Sequence, residues 1–179
     1  LLNHGYTNIT SVDLIKENYK VTGTTFKEFD LNTDFSSLGK FDAIIALEVI
    51  EHIENPFHFM RCIKKCLNQG GALYLSTPNV ESTFSRAKFY FFGRLHFFSK
   101  EELYGTGHIT PIFRHILEFN LDQAGLRIEK RFTNGDVWDN VAHGRNVILK
   151  TAYTLFYMLS FLTKNRDTFD IAMYKIVLK

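Results

Sequence analysis

The sequence predicts an α/β fold with a doubly wound, mostly parallel sheet. Short β-rich segments alternate with helical ones from about residue 9 to residue 130, which implies right-handed parallel crossovers. The segment 41–47, FDAIIAL, is a continuous apolar run, as expected of a strand buried on both faces of a parallel sheet. In such sheets ligands bind at the carboxyl ends of the strands.

Five further strands are expected, each bounded by polar or turn residues. They lie at 9–13, 24–29, 72–77, 126–132 and 172–178. Asp13 and Asp30 close the first two of these strands, and Glu48 follows the central one. Three acids are therefore expected at one edge of the sheet, where a ligand would bind.

Capping residues and the spacing of apolar residues predict the helices. A short helical piece is expected at 14–20, after the first strand. Asn55 and Pro56 should open an amphipathic helix that stops at Gly70 and Gly71. Another helix is expected at 111–124, with Gly125 ending it.

The chain is expected to form a single, partial domain over residues 1–179, with two insertions. Residues 79–108, dense in aromatic side chains, should form a lid beside the ligand edge. The second insertion, 134–165, contains the mostly apolar helix 147–162, which is shorter than the roughly 20 residues of a bilayer crossing. Two interpretations of this helix stay open: it packs on the sheet, or it makes peripheral contact with a membrane surface.

Composition narrows the class of partner. The chain is 45% hydrophobic with a formal net charge of +2 and no long basic run, so no nucleic acid partner is expected. Cys62 and Cys66, one helical turn apart, are expected as core thiols, which favours a reducing, cytoplasmic compartment. The oligomeric state is left open.

Two segments carry a family resemblance: FDAIIALEVIEHIENPFHFMRCIKKCLNQGGALYLSTPN at 41–79 and GHITPIFRHILEFNLDQAGLRIEK at 107–130. Together with the acids that close the early strands, they resemble class I S-adenosylmethionine-dependent methyltransferases. The nearest branch includes ubiquinone-biosynthesis O-methyltransferases. The resemblance implies a Rossmann-like sheet with an antiparallel last strand, and S-adenosylmethionine as the cofactor.

The resemblance assigns a set of residues to the cofactor. Asp13 matches the acid that binds the ribose hydroxyls, and a carboxylate is a suitable acceptor for a diol. Asp30 matches the residue that meets the adenine amino group, although DLNTD is also good capping chemistry. The full expected cofactor set is Asp13, Leu14, Asp30, Leu31, Ala46, Leu47 and Glu48.

His52 and Glu51 are the expected catalytic residues. Methyl transfer from a sulfonium needs positioning and removal of the acceptor's proton, and histidine is a suitable base for a hydroxyl. Helical spacing would place Glu48, Glu51 and His52 on one side of a turn. No metal is included in the expected site. Because some relatives with this arrangement and a further histidine, here His108, use a divalent ion, that possibility stays open.

The acceptor is expected between the lid and the late segment 134–146. Its expected contacts are Arg86, Arg94, His108 and Trp138, together with His143. The expected reaction is methyl transfer to an oxygen, less readily a nitrogen, of a saccharide or lipid-linked acceptor at the inner face of a membrane. A small phenol of quinone type is the next choice.

The family's first strand and glycine-rich loop have no counterpart in this sequence, which begins LLNHGYTNITSVD. We therefore expect an N-terminally truncated chain that binds the cofactor weakly or not at all by itself. Two alternatives to a methyltransferase stay open. One is a non-catalytic remnant acting as an interaction module; the other is a nicotinamide-dependent oxidoreductase on a similar sheet.

Overall fold

The computed structural model describes residues 1–136, 147–160, 167 and 169–179. The strands are β1 Thr10–Asp13, β2 Thr25–Glu28, β3 Phe41–Leu47, β4 Leu67–Pro78, β5 Leu126–Asp136 and β6 Phe169–Leu178. The α-helices are α1 Pro56–Cys66, α2 Thr83–Phe92, α3 Lys100–Gly105, α4 Arg114–Ala124 and α5 Val147–Ser160. The expected helical piece at 14–20 contains only the short 3₁₀ turn Lys16–Asn18.

The strands form two sheets. β1 and β2 pair in parallel, and the second sheet has the order β3-β4-β6-β5. β3 and β4 are parallel, whereas β6 is antiparallel to both of its neighbours, so β5 runs in the direction of β4. The predicted fold class, mostly parallel with an antiparallel last strand, is confirmed. In the described part of the chain no strand joins β1 or β2 to β3.

The core lies where α1 and α4 pack on the four-stranded sheet. Phe59 and Leu117 bring the two helices together with Leu73 of β4, and each of these side chains is almost fully buried. Burying one side chain of this size stabilises the fold by about 1.5–3 kcal/mol. Cys62 and Cys66 are free thiols in this cluster, which confirms the interpretation of both as core residues.

The prediction that β3 is buried on both faces is wrong. Ala46 is buried, but Ile45 and Leu47 are 48% and 51% exposed. Alternate residues of a strand point to opposite faces, so Ala43, Ile45 and Leu47 share one face. The described residues leave that face largely uncovered, because α1 and α4 pack on the other one.

The prediction that α1 extends to Gly70 and Gly71 is also wrong. The Asn55 side chain accepts a hydrogen bond from the backbone N–H of His58 at 3.0 Å, as expected of an N-cap, but the helix ends at Cys66. β4 begins at Leu67, opposite Phe41, and the ladder then shifts register so that Ala72 faces Ala43. The two glycines therefore belong to an irregular start of β4.

Gly71 is favoured at this register shift by close packing. A Cβ atom there would lie 3.0 Å from the Asn68 carbonyl oxygen and 3.1 Å from those of Phe41 and Asp42. A side chain at this position would require the neighbouring backbone to shift by a few tenths of an ångström, so glycine is favoured where the two strands approach so closely.

The expected lid contains α2 and α3. Ser99 caps α3 reciprocally with Glu102, each side chain bonding the other residue's backbone N–H. α5, the expected apolar helix of the second insertion, packs against α2. None of the helices in the described ranges combines the length and the hydrophobicity that a bilayer crossing requires.

Candidate active site

The residue that directly follows β3 has a strained backbone conformation. Glu48 follows the strand directly and has a φ of +52°, a left-handed conformation that is uncommon for a residue with a side chain. Its backbone N–H donates to the Ser76 carbonyl at 3.2 Å, and the Ser76 hydroxyl donates to Glu48 Oε1 at 2.7 Å. The expected helical alignment of Glu48 with Glu51 and His52 is therefore wrong, because only Ile50–His52 forms a turn of 3₁₀ helix.

The segment after α3 closes over this 3₁₀ turn. The backbone N–H groups of Ile109 and Thr110 both donate to the Glu51 carbonyl oxygen at 3.0 Å. The Thr110 hydroxyl donates to the Ile53 carbonyl at 2.7 Å. These bonds join positions more than fifty residues apart, and they bring His108 beside His52.

Each of the two histidines is oriented by a backbone carbonyl. His52 Nδ1 lies 3.0 Å from the Gly107 carbonyl oxygen, and His108 Nδ1 lies 2.9 Å from that of Phe97. A carbonyl oxygen only accepts, so each Nδ1 carries a proton, and in a neutral ring the lone pair lies on Nε2. The ring centroids are 4.9 Å apart, in an edge-on arrangement. Both rings can therefore present an acceptor nitrogen to a common ligand.

Glu51 is fully buried beside these histidines. Neither of its carboxyl oxygens has a hydrogen-bond partner among the described residues. The Thr77 hydroxyl and the Glu48 carboxylate lie close by without meeting hydrogen-bond geometry. Burial raises the pKa of Glu51 to about 7, and the nearby negative charge of Glu48 acts in the same direction. An unpartnered buried carboxyl is costly, so Glu51 is a candidate functional group.

Three side chains thus converge at the end of β3. One ligand atom each from Glu51, His52 and His108 lies within 4.8 Å of the other two. The arrangement offers an oxygen and two imidazole nitrogens. Such a cluster can accept protons from a hydroxyl, and its donor types also suit a divalent cation. All three residues were expected from the sequence, His108 as an acceptor contact and as a possible ligand of a divalent ion.

The acids expected to bind the cofactor are more exposed. Asp13 is the last residue of β1, and its Oδ1 accepts the Ile15 backbone N–H at 2.9 Å. Asp30 lies beyond β2, and its Oδ1 accepts the Asn32 backbone N–H at 2.9 Å. One oxygen of each carboxylate therefore holds a turn. The expected neighbours Leu14 and Leu31 are exposed and half-buried, respectively.

One side-chain bond connects this acidic edge with the cluster. Asn32 Oδ1 accepts the backbone N–H of Glu54 at 2.9 Å, which joins the loop after β2 to the segment after β3. Behind it, Leu31 packs against the main core. The loop that carries Asp30 and the turn that carries Glu51 and His52 are thereby held at the same end of the fold.

The expected acceptor residues that the structure describes lie on different elements. Arg94 is exposed, and its Nη1 lies 3.9 Å from Oε2 of Glu101 in α3. Arg86, in α2, is half-buried, and its Nη2 lies 3.4 Å from the Thr83 hydroxyl oxygen. Trp138 and His143 lie outside the described residues. Of the expected set, His108 is the residue that the structure brings to the cluster.

A shallow depression of about 390 Å³, largely open to solvent, adjoins His108. Lys100, Leu103 and Tyr104 of α3 line it, with Phe98 from the preceding loop. Sequence reasoning missed these residues. The SKEE sequence at 99–102 signals the capped helix, but which of its side chains would line the depression depends on how α3 docks.

The site thus combines acids at the ends of two strands with a cluster of proton acceptors at the end of a third. The sequence profile described as a methyltransferase domain matches residues 2–131. The chain therefore belongs to this methyltransferase family. The prediction of a methyltransferase is confirmed at the level of the family, and it disfavours the nicotinamide-dependent alternative.

Curated relatives support the same assignment. The chain is 30% identical over 81 residues to the ubiquinone biosynthesis O-methyltransferase of Caulobacter vibrioides, covering 40% of this chain and 32% of that protein. The enzyme of the same name from Xanthomonas campestris is 31% identical over 81 residues, with coverages of 40% and 34%. The matched part thus spans about a third of the length of these relatives.

Solved structures show the same fold. A SAM-dependent methyltransferase from Archaeoglobus fulgidus superposes with a TM-score of 0.61 at 13% identity, covering 95% of this chain and 75% of that one. An S-adenosylmethionine-dependent methyltransferase from Mesorhizobium loti gives a TM-score of 0.60 at 15% identity, with coverages of 98% and 82%.

Proposed function

We propose that the protein containing this chain transfers a methyl group from S-adenosylmethionine to an oxygen of its acceptor. The observation that carries this proposal is the convergence of Glu51, His52 and His108 within 4.8 Å at the end of β3. Methylation of a hydroxyl requires removal of its proton, and this cluster consists of proton acceptors. The names of the curated relatives, O-methyltransferases, support the choice of oxygen.

S-adenosylmethionine supplies an electrophilic methyl group when bound. Asp13 and Asp30 each keep one carboxylate oxygen that the turns do not use, which fits acceptors for ribose hydroxyls and the adenine amino group. Glu48 turns the backbone at the end of β3, so Ala46, Leu47 and Glu48 fit the wall beside the methionine portion. His52 Nε2 takes the acceptor's proton, and Glu51, with a pKa near 7, accepts or releases a proton beside it.

The same three residues fit a divalent cation. Each histidine is held through Nδ1 by a backbone carbonyl, as is typical of metal-binding histidines, and the buried Glu51 carboxyl has no hydrogen-bond partner among the described residues. A bound cation would polarise the acceptor oxygen and favour its deprotonated form. Titration with Mn²⁺ tests this fit, because it should broaden the His52 and His108 ring signals in NMR spectra, and Glu51→Gln should weaken the effect.

The catalytic role of the cluster can be tested by measuring the rate of methyl transfer and the affinity for the cofactor separately. In the intact protein, His52→Gln should slow methyl transfer from labelled cofactor by about 10²-fold or more while cofactor affinity, measured by calorimetry, stays unchanged. His115→Gln is the matched control, because His115 is an exposed histidine on α4. A normal rate in His52→Gln would contradict the proposed role, and absence of transfer by the intact wild-type protein would favour the non-catalytic alternative.

We propose a saccharide or lipid-linked acceptor at the cytoplasmic face of a membrane, with a small phenol as the alternative. Exposed apolar side chains support peripheral contact: Val147, Leu155 and Met158 on α5, and four consecutive aromatic residues, 89–92, at the end of α2. Aromatic and aliphatic side chains of this kind favour the membrane interface. Offering labelled cofactor with cell-envelope fractions tests the acceptor, since label confined to small aromatic extracts would exclude the envelope.

Membrane contact has a separate test. The wild-type protein should sediment with vesicles containing phosphatidylglycerol, and the Tyr90→Ser/Met158→Ser double variant should remain in solution. Tyr6→Ser is the control, because Tyr6 is similarly exposed but lies near the amino terminus, outside both helices. Equal sedimentation of the double variant and the wild type would exclude contact through α2 and α5.

A further inference from the structure

α3 is a surface helix that is fixed to the fold mainly at its two ends. None of its residues, Lys100–Gly105, is buried, so apolar packing contributes little to its position. Phe97 precedes the helix with a φ of +66°, and Gly107 follows it with a φ of +79°. Both values lie in the left-handed region, which is uncommon for a residue with a side chain such as Phe97. Two special backbone conformations therefore enclose the segment 97–107.

Each of these two residues directs its carbonyl oxygen at one histidine of the cluster. The Phe97 carbonyl oxygen lies 2.9 Å from Nδ1 of His108, and the Gly107 carbonyl oxygen lies 3.0 Å from Nδ1 of His52. Each bond requires a proton on Nδ1, because a carbonyl oxygen only accepts, and in a neutral ring it leaves Nε2 as the acceptor. The two ends of one segment thus hold both histidines in the same tautomer.

Phe97 is held by contacts that lie outside the segment and outside the cluster. The His96 ring stacks on the Phe97 ring with the two centroids 3.9 Å apart, and His96 Nε2 lies 3.6 Å from Oδ1 of Asp170 in β6. The backbone N–H of His96 donates to the hydroxyl oxygen of Ser85, a fully buried residue of α2, at 3.1 Å. The direction of the Phe97 carbonyl is therefore set by α2 and β6.

Gly107 is held by α3 itself and by the residues that follow it. Its backbone N–H donates to the Glu102 carbonyl at 3.0 Å, as expected of a left-handed glycine that ends a helix. The N–H groups of residues 109–110 then bond to the Glu51 carbonyl, also at 3.0 Å. Because the same few residues end α3 and reach the cluster, undocking of α3 would displace the Gly107 carbonyl and His108 together.

We propose that the segment 97–107 is a single positioning segment for the two histidines, with Phe97 and Gly107 as its positioning residues. While α3 is docked, both rings carry the proton on Nδ1 and present Nε2. When α3 undocks, both rings lose this constraint together, so the cluster accepts protons only in the docked state. This inference rests on the proposed function, because the orientation of Nε2 affects the rate only if the cluster takes a proton.

Alanine substitution of two left-handed glycines provides a test with a matched control. A Cβ atom at Gly107 would lie 3.5 Å from His52 Nδ1, an ordinary contact, and one at Gly93, which ends α2 with a φ of +69°, would have no neighbour within 4 Å. Either alanine disfavours the left-handed backbone by about tenfold without a steric clash. Gly93, however, lies outside the positioning segment.

Methyl transfer by the intact protein should respond to one of these substitutions. Gly107→Ala should lower kcat by up to about tenfold with an unchanged cofactor KM, because a helix without buried residues undocks readily when its end is strained. Gly93→Ala should leave kcat unchanged. Thermal unfolding of both variants shows whether they lose the same stability, which separates positioning from a general loss of structure.

The protons of the histidine rings report the positioning without turnover. Nitrogen–proton correlation NMR spectra of the intact protein, recorded with a chelator present, show which ring nitrogen carries the proton. In the wild type, neutral His52 and His108 should both carry it on Nδ1. Gly107→Ala should change both rings, although its carbonyl bonds only to His52, and Gly93→Ala should change neither.

Two substitutions of Phe97 distinguish its backbone from its ring. Asparagine tolerates the left-handed conformation, whereas valine, which is branched at Cβ, does not. Phe97→Asn should therefore keep both histidines protonated on Nδ1, and Phe97→Val should not. Neither variant retains the aromatic ring, so a difference between them assigns the effect to the backbone.

Four results would overturn the inference: a wild-type ring protonated on Nε2 alone, a change in Gly107→Ala that is absent or confined to one ring, an equal change in Gly93→Ala, or identical spectra of the two Phe97 variants. None of them depends on methyl transfer. If both rings respond to Gly107→Ala in a protein that transfers no methyl group, the positioning stands and the proposed function fails. If transfer requires His52 but neither ring responds, the reverse holds.

Discussion

The ends of β1 and β2 and the end of β3 both carry acidic residues, but they are built differently. Asp13 and Asp30 are at the surface and bond to a backbone N–H two residues away. Glu51 is fully buried and lies in a segment that is bonded to residues 107–110. The first region is formed by local turns, whereas the second is assembled from distant parts of the chain.

Because they are built differently, the two regions are suited to different functions. Exposed carboxylates with one free oxygen are suited to hydrogen bonds with the hydroxyl and amino groups of a bound nucleoside, at little cost to stability. A buried carboxyl between two histidines is costly, and its raised pKa suits proton transfer near neutral pH. Four predictions sharpen this contrast.

Substitutions in the two regions should change different kinetic parameters, and this prediction has the largest expected magnitude. His108→Gln should lower kcat by about 10²–10⁴-fold with little change in cofactor KM, because it removes a member of the proton-accepting cluster. Asp13→Asn should instead raise cofactor KM with a smaller change in kcat, because a carboxylate acceptor for the ribose is weakened. Steady-state kinetics on the intact protein checks both. The same kinetic pattern in the two variants would remove the division of roles.

The second prediction compares stability. Leu73→Ala, in the buried centre of β4, should lower the free energy of unfolding by about 2–5 kcal/mol, because it leaves a cavity against α1 and α4. Val12→Ala, in the half-buried β1, should cost about 1 kcal/mol or less. Urea denaturation measures both. Equal losses would show that the β1–β2 region is packed as tightly as the four-stranded sheet.

The third prediction is the pH dependence due to Glu51. Burial raises its folded-state pKa from 4.5 to about 7, so the folded protein binds the extra proton and loses stability as pH rises from about 4.5 to 7. Glu51→Gln removes this loss, and at pH 8 it should stabilise the metal-free protein by up to about 3 kcal/mol. Near pH 4 the two proteins should unfold alike.

The control for this effect is Glu54→Gln. Glu54 is exposed three residues further along, and its substitution should leave the pH profile of unfolding unchanged. If Glu51→Gln changes the stability by the same amount at both pH values, the folded-state pKa of Glu51 is not raised.

The smallest expected effect concerns the bond between the two regions. Asn32→Ala removes the acceptor of the Glu54 N–H and should cost about 1 kcal/mol. Asn68→Ala is the matched control, because Asn68 donates to Asp42 within the larger sheet. Hydrogen exchange should speed up in the loop 30–34 only in the Asn32 variant. Faster exchange there in both variants would mean that this bond does not couple the regions.

Much of the fold could be predicted from the sequence where the determinants are local. Phe41–Leu47 is recognisable as a strand from its apolar run, and Gly125 ends α4 with a φ of +71°, as its position predicts. The Asn55 cap and the pair Glu51 and His52 were likewise evident from neighbouring residues. These features depend on backbone sterics and on side chains a few positions apart.

The features that depend on contacts between distant segments could not be predicted from the sequence. The end of α1 at Cys66 follows from pairing of Leu67 with β3, and the left-handed backbone of Glu48 follows from its bonds to Ser76. Glu51 is buried because residues 109–110 close over it, and Lys100 lines the depression because α3 docks beside His108. Residue types and local spacing were enough to select Glu51, His52 and His108 as candidates for the chemistry. Their burial, orientation and pKa arise from contacts that form only when segments far apart in the chain pack together.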